Sequence, residues 1–154
     1  MELNLRHTLA TLAYRAGKAL RDAPESFAHF KANDRSRAPV QIVAHMGDLF
    51  DWALSLAKGK HEWRDTAPLQ WDEEVSRFFR SLEAFDSHLA SGGTLGCSAE
   101  QLFQGPIADA LTHTGQLTYL RGLAAAPVRA ENYFKAAIEA GRVGKEQTKP
   151  KVEF

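Results

Sequence analysis

The chain has 154 residues, with 19 lysines and arginines against 19 aspartates and glutamates, and a single cysteine. That length suits one domain able to bury a core without staples, and the balanced charge offers no field that would draw nucleic acid or an anionic membrane. Cys97 alone excludes an internal disulfide and fits a reducing compartment.

The stretch from Met1 to His7 alternates polar and apolar residues and lacks a signal-peptide core. No apolar run approaches the ~20 residues that span a bilayer. The expected setting is the cytoplasm, with neither nucleic acid nor membrane as partner. Over residues 3–22 the apolar positions Leu5, Leu9, Leu12, Ala16 and Leu20 recur at intervals of three and four, which predicts a helix closed by Pro24. Residues 31–37, including Arg35 and Arg37, form a short polar, basic loop. Pro39 suits a first helical position, and residues 40–58 follow as a second helix. Its stripe Ile42, Met46, Leu49, Ala53 and Leu56 lies beside another, Val43, Gly47, Phe50, Leu54 and Ala57, so it is expected to be buried on more than one face.

A third helix is predicted over 70–90, with Asp72, Glu73 and Glu74 complementing its N-terminal dipole. Trp71, Val75, Phe78, Leu82, Phe85 and Leu89 form its stripe. The segment Gly92 to Gly96 reads as flexible linker, since no Gly-Lys-Ser/Thr follows to make a phosphate loop. A fourth helix is expected from Pro106 to about 126, with Ala110, His113, Leu117, Leu120 and Ala124 in line. After Pro127 a short helix over 130–140 would present Tyr133, Phe134, Ala137 and Ile138, and the chain from Gly144 reads as frayed or extended. The expected fold is therefore all-α: one domain over 1–154, a four-helix bundle plus a short C-terminal helix. Its long connections permit a crossover rather than simple up-down order.

Two of these helices carry polar residues on apolar stripes. Asp109 and His113 are four apart, hence one above the other on a helix face, and His45 lies on the second helix. Two imidazoles and a carboxylate with positions left for water suit a catalytic divalent transition metal. The same spacing also suits a His–Asp hydrogen-bonded pair in the core, and a histidine on an apolar stripe is more often a core residue than a ligand. Asp48, one turn after His45, is a candidate to orient a ligand imidazole. Its alternative is an ordinary exposed carboxylate. His61 is a candidate fourth ligand or lid residue, otherwise surface, and Arg121 a candidate anchor for an anionic substrate, otherwise a surface-paired side chain. Cys97 reads as an inert small residue, and Gly47 and Gly115 as points of close helix approach. No nucleophile elbow, Cys-x-x-Cys or His-Glu-x-x-His is present.

His45-Met-Gly-Asp48 and His113-Thr-Gly-Gln-Leu, in this order on the second and last helices, resemble the DinB superfamily of damage-inducible, metal-binding four-helix proteins. The ending, Pro127 to Phe134 and then Ala140 to Gly144, is similar to one branch of it. The resemblance implies a metal held by three histidines, and His45 and His113 match two of them. The third position is Asp109 here, a harder and more anionic donor. It further implies one zinc, nickel, iron or manganese ion, homodimers, and either hydrolysis or transfer or isomerisation using a low-molecular-weight thiol. The alternative is a non-catalytic, stress-response module that binds a metal or small ligand.

Overall fold

The computed structural model describes residues 4–154; Leu3, the expected start of the first helix, lies outside them. The described residues are helical, with turns and one isolated bridge, and four long helical rods pack side by side. The first is α1, Leu5–Leu20, whose first free N–H groups are met by Asn4: its side-chain oxygen accepts from His7 N at 3.0 Å. All five residues of its sequence stripe are buried. The second is α2, Pro39–Ala57, with proline at its first position and the Ala38 N–H donating to Gln41 Oε1 at 2.8 Å. Both of its faces are buried as expected, with Met46, Phe50 and Ala53 fully enclosed. The third is α3, Trp71–Ala90, with Phe78, Leu82 and Phe85 in the core.

The last rod departs from expectation. It begins at a capping box in which Ser98 Oγ accepts from Gln101 N and Ser98 N donates to Gln101 Oε1. It runs on through α4, Ala99–Leu102, a π turn over Phe103–Ile107, and α5, Ala108–Leu123. Pro106 therefore lies inside the helix and does not start it. Proline has no N–H for the fourth carbonyl back and its ring strikes that carbonyl; the wide π turn accommodates both defects.

Packing contacts fix the order of the rods. Both α1 and α2 pack on α3 and on α5, so α1 and α2, successive in sequence, lie across the diagonal. The connection between them carries a 3-10 turn, Glu25–His29, whose buried Phe27 lies 5.7 Å from the Trp71 ring and 5.7 Å from the Arg121 guanidinium. The C-terminal ends of α1 and α5 and the N-terminal ends of α2 and α3 thus share one end of the molecule. At the other end, Gly96 N donates to Ala57 O at 2.8 Å, and an added Cβ on Gly96 would fall 2.2 Å from Gly59 N. That glycine is a close-packed contact, not free linker. The helices run up, down, down, up, and residues 58–70 cross the full length of the molecule.

The short C-terminal helix does not form. Only a 3-10 turn, Tyr133–Lys135, appears within 130–140, and Phe134 is 95 % exposed. Isolated helices of this length are marginal in water, and tertiary contacts claim the residues instead. Glu131, whose side chain is fully buried, accepts from Tyr14 Oη at 2.5 Å and from Lys18 Nζ at 2.8 Å, while Arg15 lies 4.1 Å over the Tyr133 ring. The residues after Gly144 are extended but not frayed. Glu153 also binds Lys18 at 2.8 Å, and an isolated antiparallel bridge joins Glu131 to Glu153. Burial opposes the charge of Lys18, but its two carboxylate partners hold its pKa above the ordinary value.

Candidate metal centre

The diagonal arrangement sets α2 beside α5, and there the three sequence candidates meet. His45 Nε2 stands 3.2 Å from Asp109 Oδ2, and His113 Nε2 stands 3.4 Å from Asp109 Oδ1. The rings of His45 and His113 are 4.8 Å apart and nearly perpendicular. One donor atom from each residue falls within 4.8 Å of the others, so the group can hold a metal ion. Two donors each ~2.05 Å from a tetrahedral ion stand ~3.3 Å apart; each imidazole lies about that far from one Asp109 oxygen, His45 from Oδ2 and His113 from Oδ1. The donor set is mixed nitrogen and oxygen, which suits first-row divalent metals and does not select one. Asp109 is 45 % exposed in its side chain, against 19 % and 11 % for His45 and His113, so solvent reaches the carboxylate side. That side opens into a cleft lined by Leu49, Trp52, Gln104 and Thr112.

Gln116, on the next turn of α5, orients the buried imidazole. Its Oε1 lies 2.7 Å from His113 Nδ1. A carbonyl oxygen only accepts, so Nδ1 carries the proton and the Nε2 lone pair is left facing Asp109. Gln116 belongs to the His113-Thr-Gly-Gln-Leu element, and its i, i+3 spacing from His113 is the only sequence signal of this contact. Trp63 is a second unforeseen neighbour, its ring edge-on to His45 at 5.6 Å. It comes from the crossing segment 58–70, which has no periodicity to reveal what it covers.

The other candidates are placed elsewhere. Asp48 is buried and does not touch His45; it accepts from Thr66 N at 3.0 Å, Thr66 Oγ1 at 2.6 Å and Arg77 Nη1 at 3.0 Å. It is neither an orienting partner of the imidazole nor an exposed carboxylate. Arg77 also donates to Glu74 and to Ala44 O, and its guanidinium fills the space over Gly47, where a Cβ would lie 2.9 Å from Cζ. Gly47 thus admits a side chain rather than a helix, and Gly115 has nothing within 4 Å of an added Cβ. His61 is exposed and lies tilted against Trp52 with ring centroids 5.6 Å apart, outside the candidate group.

Arg121 is buried, not surface-paired. Its Nε donates to Ala126 O at 2.6 Å and its Nη1 to Ala19 O and Arg21 O at 2.9 and 3.0 Å. It closes the end of α1. Cys97 is partly buried, and that burial pushes its thiol pKa up, away from nucleophilic thiolate. No helix of the described residues is long and apolar enough to cross a membrane. Comparison with protein-family models, with curated proteins and with solved structures finds no match.

Proposed function

We propose that the chain is a divalent-metal-binding four-helix bundle of the DinB type, and that His45, Asp109 and His113 are the ligands of an enzyme active centre. The observation that carries this reading is the convergence of two imidazoles and a carboxylate, His45 and Asp109 being 64 residues apart in sequence, with one donor atom of each within 4.8 Å of the others. A divalent ion held there supplies Lewis acidity, which lowers the pKa of a bound water or substrate thiol. The protein's own part is to hold the two imidazoles edge to face, keep His113 in one tautomer through Gln116, and shield His45 with Trp63. Exposure on the Asp109 side leaves room for a small substrate. The reaction class that fits is hydrolysis, or transfer or isomerisation with a low-molecular-weight thiol, in a cytoplasmic homodimer.

Elemental analysis of the untagged protein beside Asp109→Ala and His45→Ala tests it. About one metal per chain, lost in both variants, supports the centre. No metal after reloading with zinc, nickel and manganese removes it.

A second reading has its own observation. Asp109 already accepts a hydrogen bond from His45 and lies beside His113, so the carboxylate is satisfied as a polar cluster. In that case the chain is a non-catalytic binding module. Reloading with zinc, nickel and manganese separates the two: a metal centre takes up about one ion per chain and gains melting temperature by linkage, whereas a self-satisfied cluster takes up none and melts unchanged.

A further inference from the structure

Beyond the ligands, a cleft of about 390 Å³ runs along α5, lined by His113, Gln116, Tyr119 and Leu120, by Ile42 of α2, and by Arg37 from the loop before α2. Its volume lies within the ~300–1,000 Å³ of small-molecule sites. Ile42 and Leu120 are buried, and Tyr119 stands 70 % exposed beside them. One residue of the lining is a cation. Among the described residues the exposed Arg37 makes no ion pair and no side-chain hydrogen bond, so its guanidinium is free to meet an anion at the cleft it lines.

The backbone that carries Arg37 is fixed on both sides. Ahead of it, Asn33 Oδ1 accepts from Arg35 N at 2.9 Å, and Ser36 Oγ donates to Asn33 O at 2.8 Å. Behind it, Ala38 and Val40 are buried with Ala28 against Trp71. A cation on a preorganised loop, facing apolar walls that end at a histidine, is complementary to a molecule with an anionic head and an apolar body.

We infer that this cleft binds an organic carboxylate with a short aromatic or aliphatic body: the carboxylate on Arg37, the body against Ile42, Leu120 and Tyr119, and its far end beside His113. Arg37 then takes the anchoring role for which Arg121 is the sequence candidate. That such a molecule is a substrate rests on the metal-centre reading; that it binds does not.

The test uses the full, metal-free, isotope-labelled protein, titrated with phenylpropanoate and with phenylpropanol, which keeps the body and lacks the charge. The carboxylate is expected to bind about tenfold more tightly, equivalent to ~1.4 kcal/mol, with amide shifts at Arg37, Gln116 and Tyr119. Arg37→Met keeps the apolar stem and is expected to abolish the preference while leaving the alcohol's affinity unchanged. Arg37→Lys is expected to restore only part of it, since an ammonium lacks the planar fork. Equal binding of the two probes to the native chain, or a preference that survives in Arg37→Met, overturns the inference. Because no metal is present, failure to load a metal and failure of this cleft are read independently.

Discussion

Gln116→Leu isolates the orientation of His113 from the stability of the fold. The side chain is exposed, leucine keeps its bulk and helix propensity, and the metal-free fold is expected to change by no more than ~0.5 kcal/mol. What it removes is the acceptor 2.7 Å from Nδ1. Without it the imidazole can carry its proton on Nε2, the nitrogen turned toward Asp109, and that tautomer cannot ligate. Orienting partners of this kind contribute ~10–100-fold to metal affinity, or ~1.4–2.7 kcal/mol. The assay is competition for zinc against a chromophoric chelator at fixed pH, with melting curves in EDTA as the fold control. The loss should be smaller than for Asp109→Ala, which removes a donor outright. Zinc affinity within twofold of native, with metal bound in both, refutes the orienting role. A loss as large as that of Asp109→Ala would instead make Gln116 a ligand.

Other outcomes follow from the same geometry. Asp109→His replaces the hard oxygen donor with a third imidazole and should shift competition toward zinc or nickel over manganese; an unchanged metal preference means Asp109 does not coordinate. Arg121→Met leaves the Ala19, Arg21 and Ala126 carbonyls without their donor and should cost about 2–4 kcal/mol in urea unfolding while metal stoichiometry stays native. Native stability in that variant would refute its structural role. Acid should release the C-terminal segment before the helices melt. The hydrogen bond from Lys18, with its charge and that of Arg129, holds the Glu153 carboxyl below its ordinary range. A depressed folded value stabilises the attachment above the unfolded value of ~4.3 and loses it as pH falls through the folded one. Protection factors at Asn132 N and Phe154 N, bonded to Val152 O and Ala130 O, should therefore fall as acid titrates that carboxyl, while the α1 amides keep theirs. Protection of both amides that persists to full acid unfolding contradicts this.

Periodicity made the four rods and their buried faces legible, because burial in a helix repeats every three or four residues and leaves that mark in the sequence. Leu9, Leu12, Met46, Phe78, Leu82 and Leu117 are all enclosed where the stripes put them. The meeting of His45, Asp109 and His113 was legible for the same reason: a polar residue on such a stripe is conspicuous. What escaped was buried polarity serving one long-range partner. Lys18 and Glu131 are 113 residues apart, and nothing in the local pattern of either announces the other. The same holds for Arg121, whose acceptors are backbone carbonyls present at every position. The C-terminal stretch has helical spacing yet forms no helix, because its residues are held by α1 and tertiary contacts outweigh weak propensity.

The topology explains why the site exists at all, and why Asp48 sits next to it without joining it. In an up-down-up-down ring α2 would neighbour α1 and α3 and lie diagonal to α5, and His45 would face His113 only across the core. Here α1 and α2 take the diagonal, so α2 and α5 touch and His45, Asp109 and His113 meet near the surface. The arrangement makes α2 and α3 parallel, and a connection must then return along the whole molecule. Residues 58–70 suffice: thirteen extended residues reach ~40 Å, against ~28 Å for the length of α2. That strand of chain has no ladder to hold it, and its backbone needs partners. Asp48 provides them, taking the Thr66 N–H and hydroxyl while Arg77 balances its charge. Pinned there, the crossing segment lays Trp63 on His45 and His61 on Trp52. Asp48 thus acts on the site through the segment it anchors, and the His-x-x-Asp spacing on α2 is explained by one residue that reaches across to α5 and another that holds the cover over it.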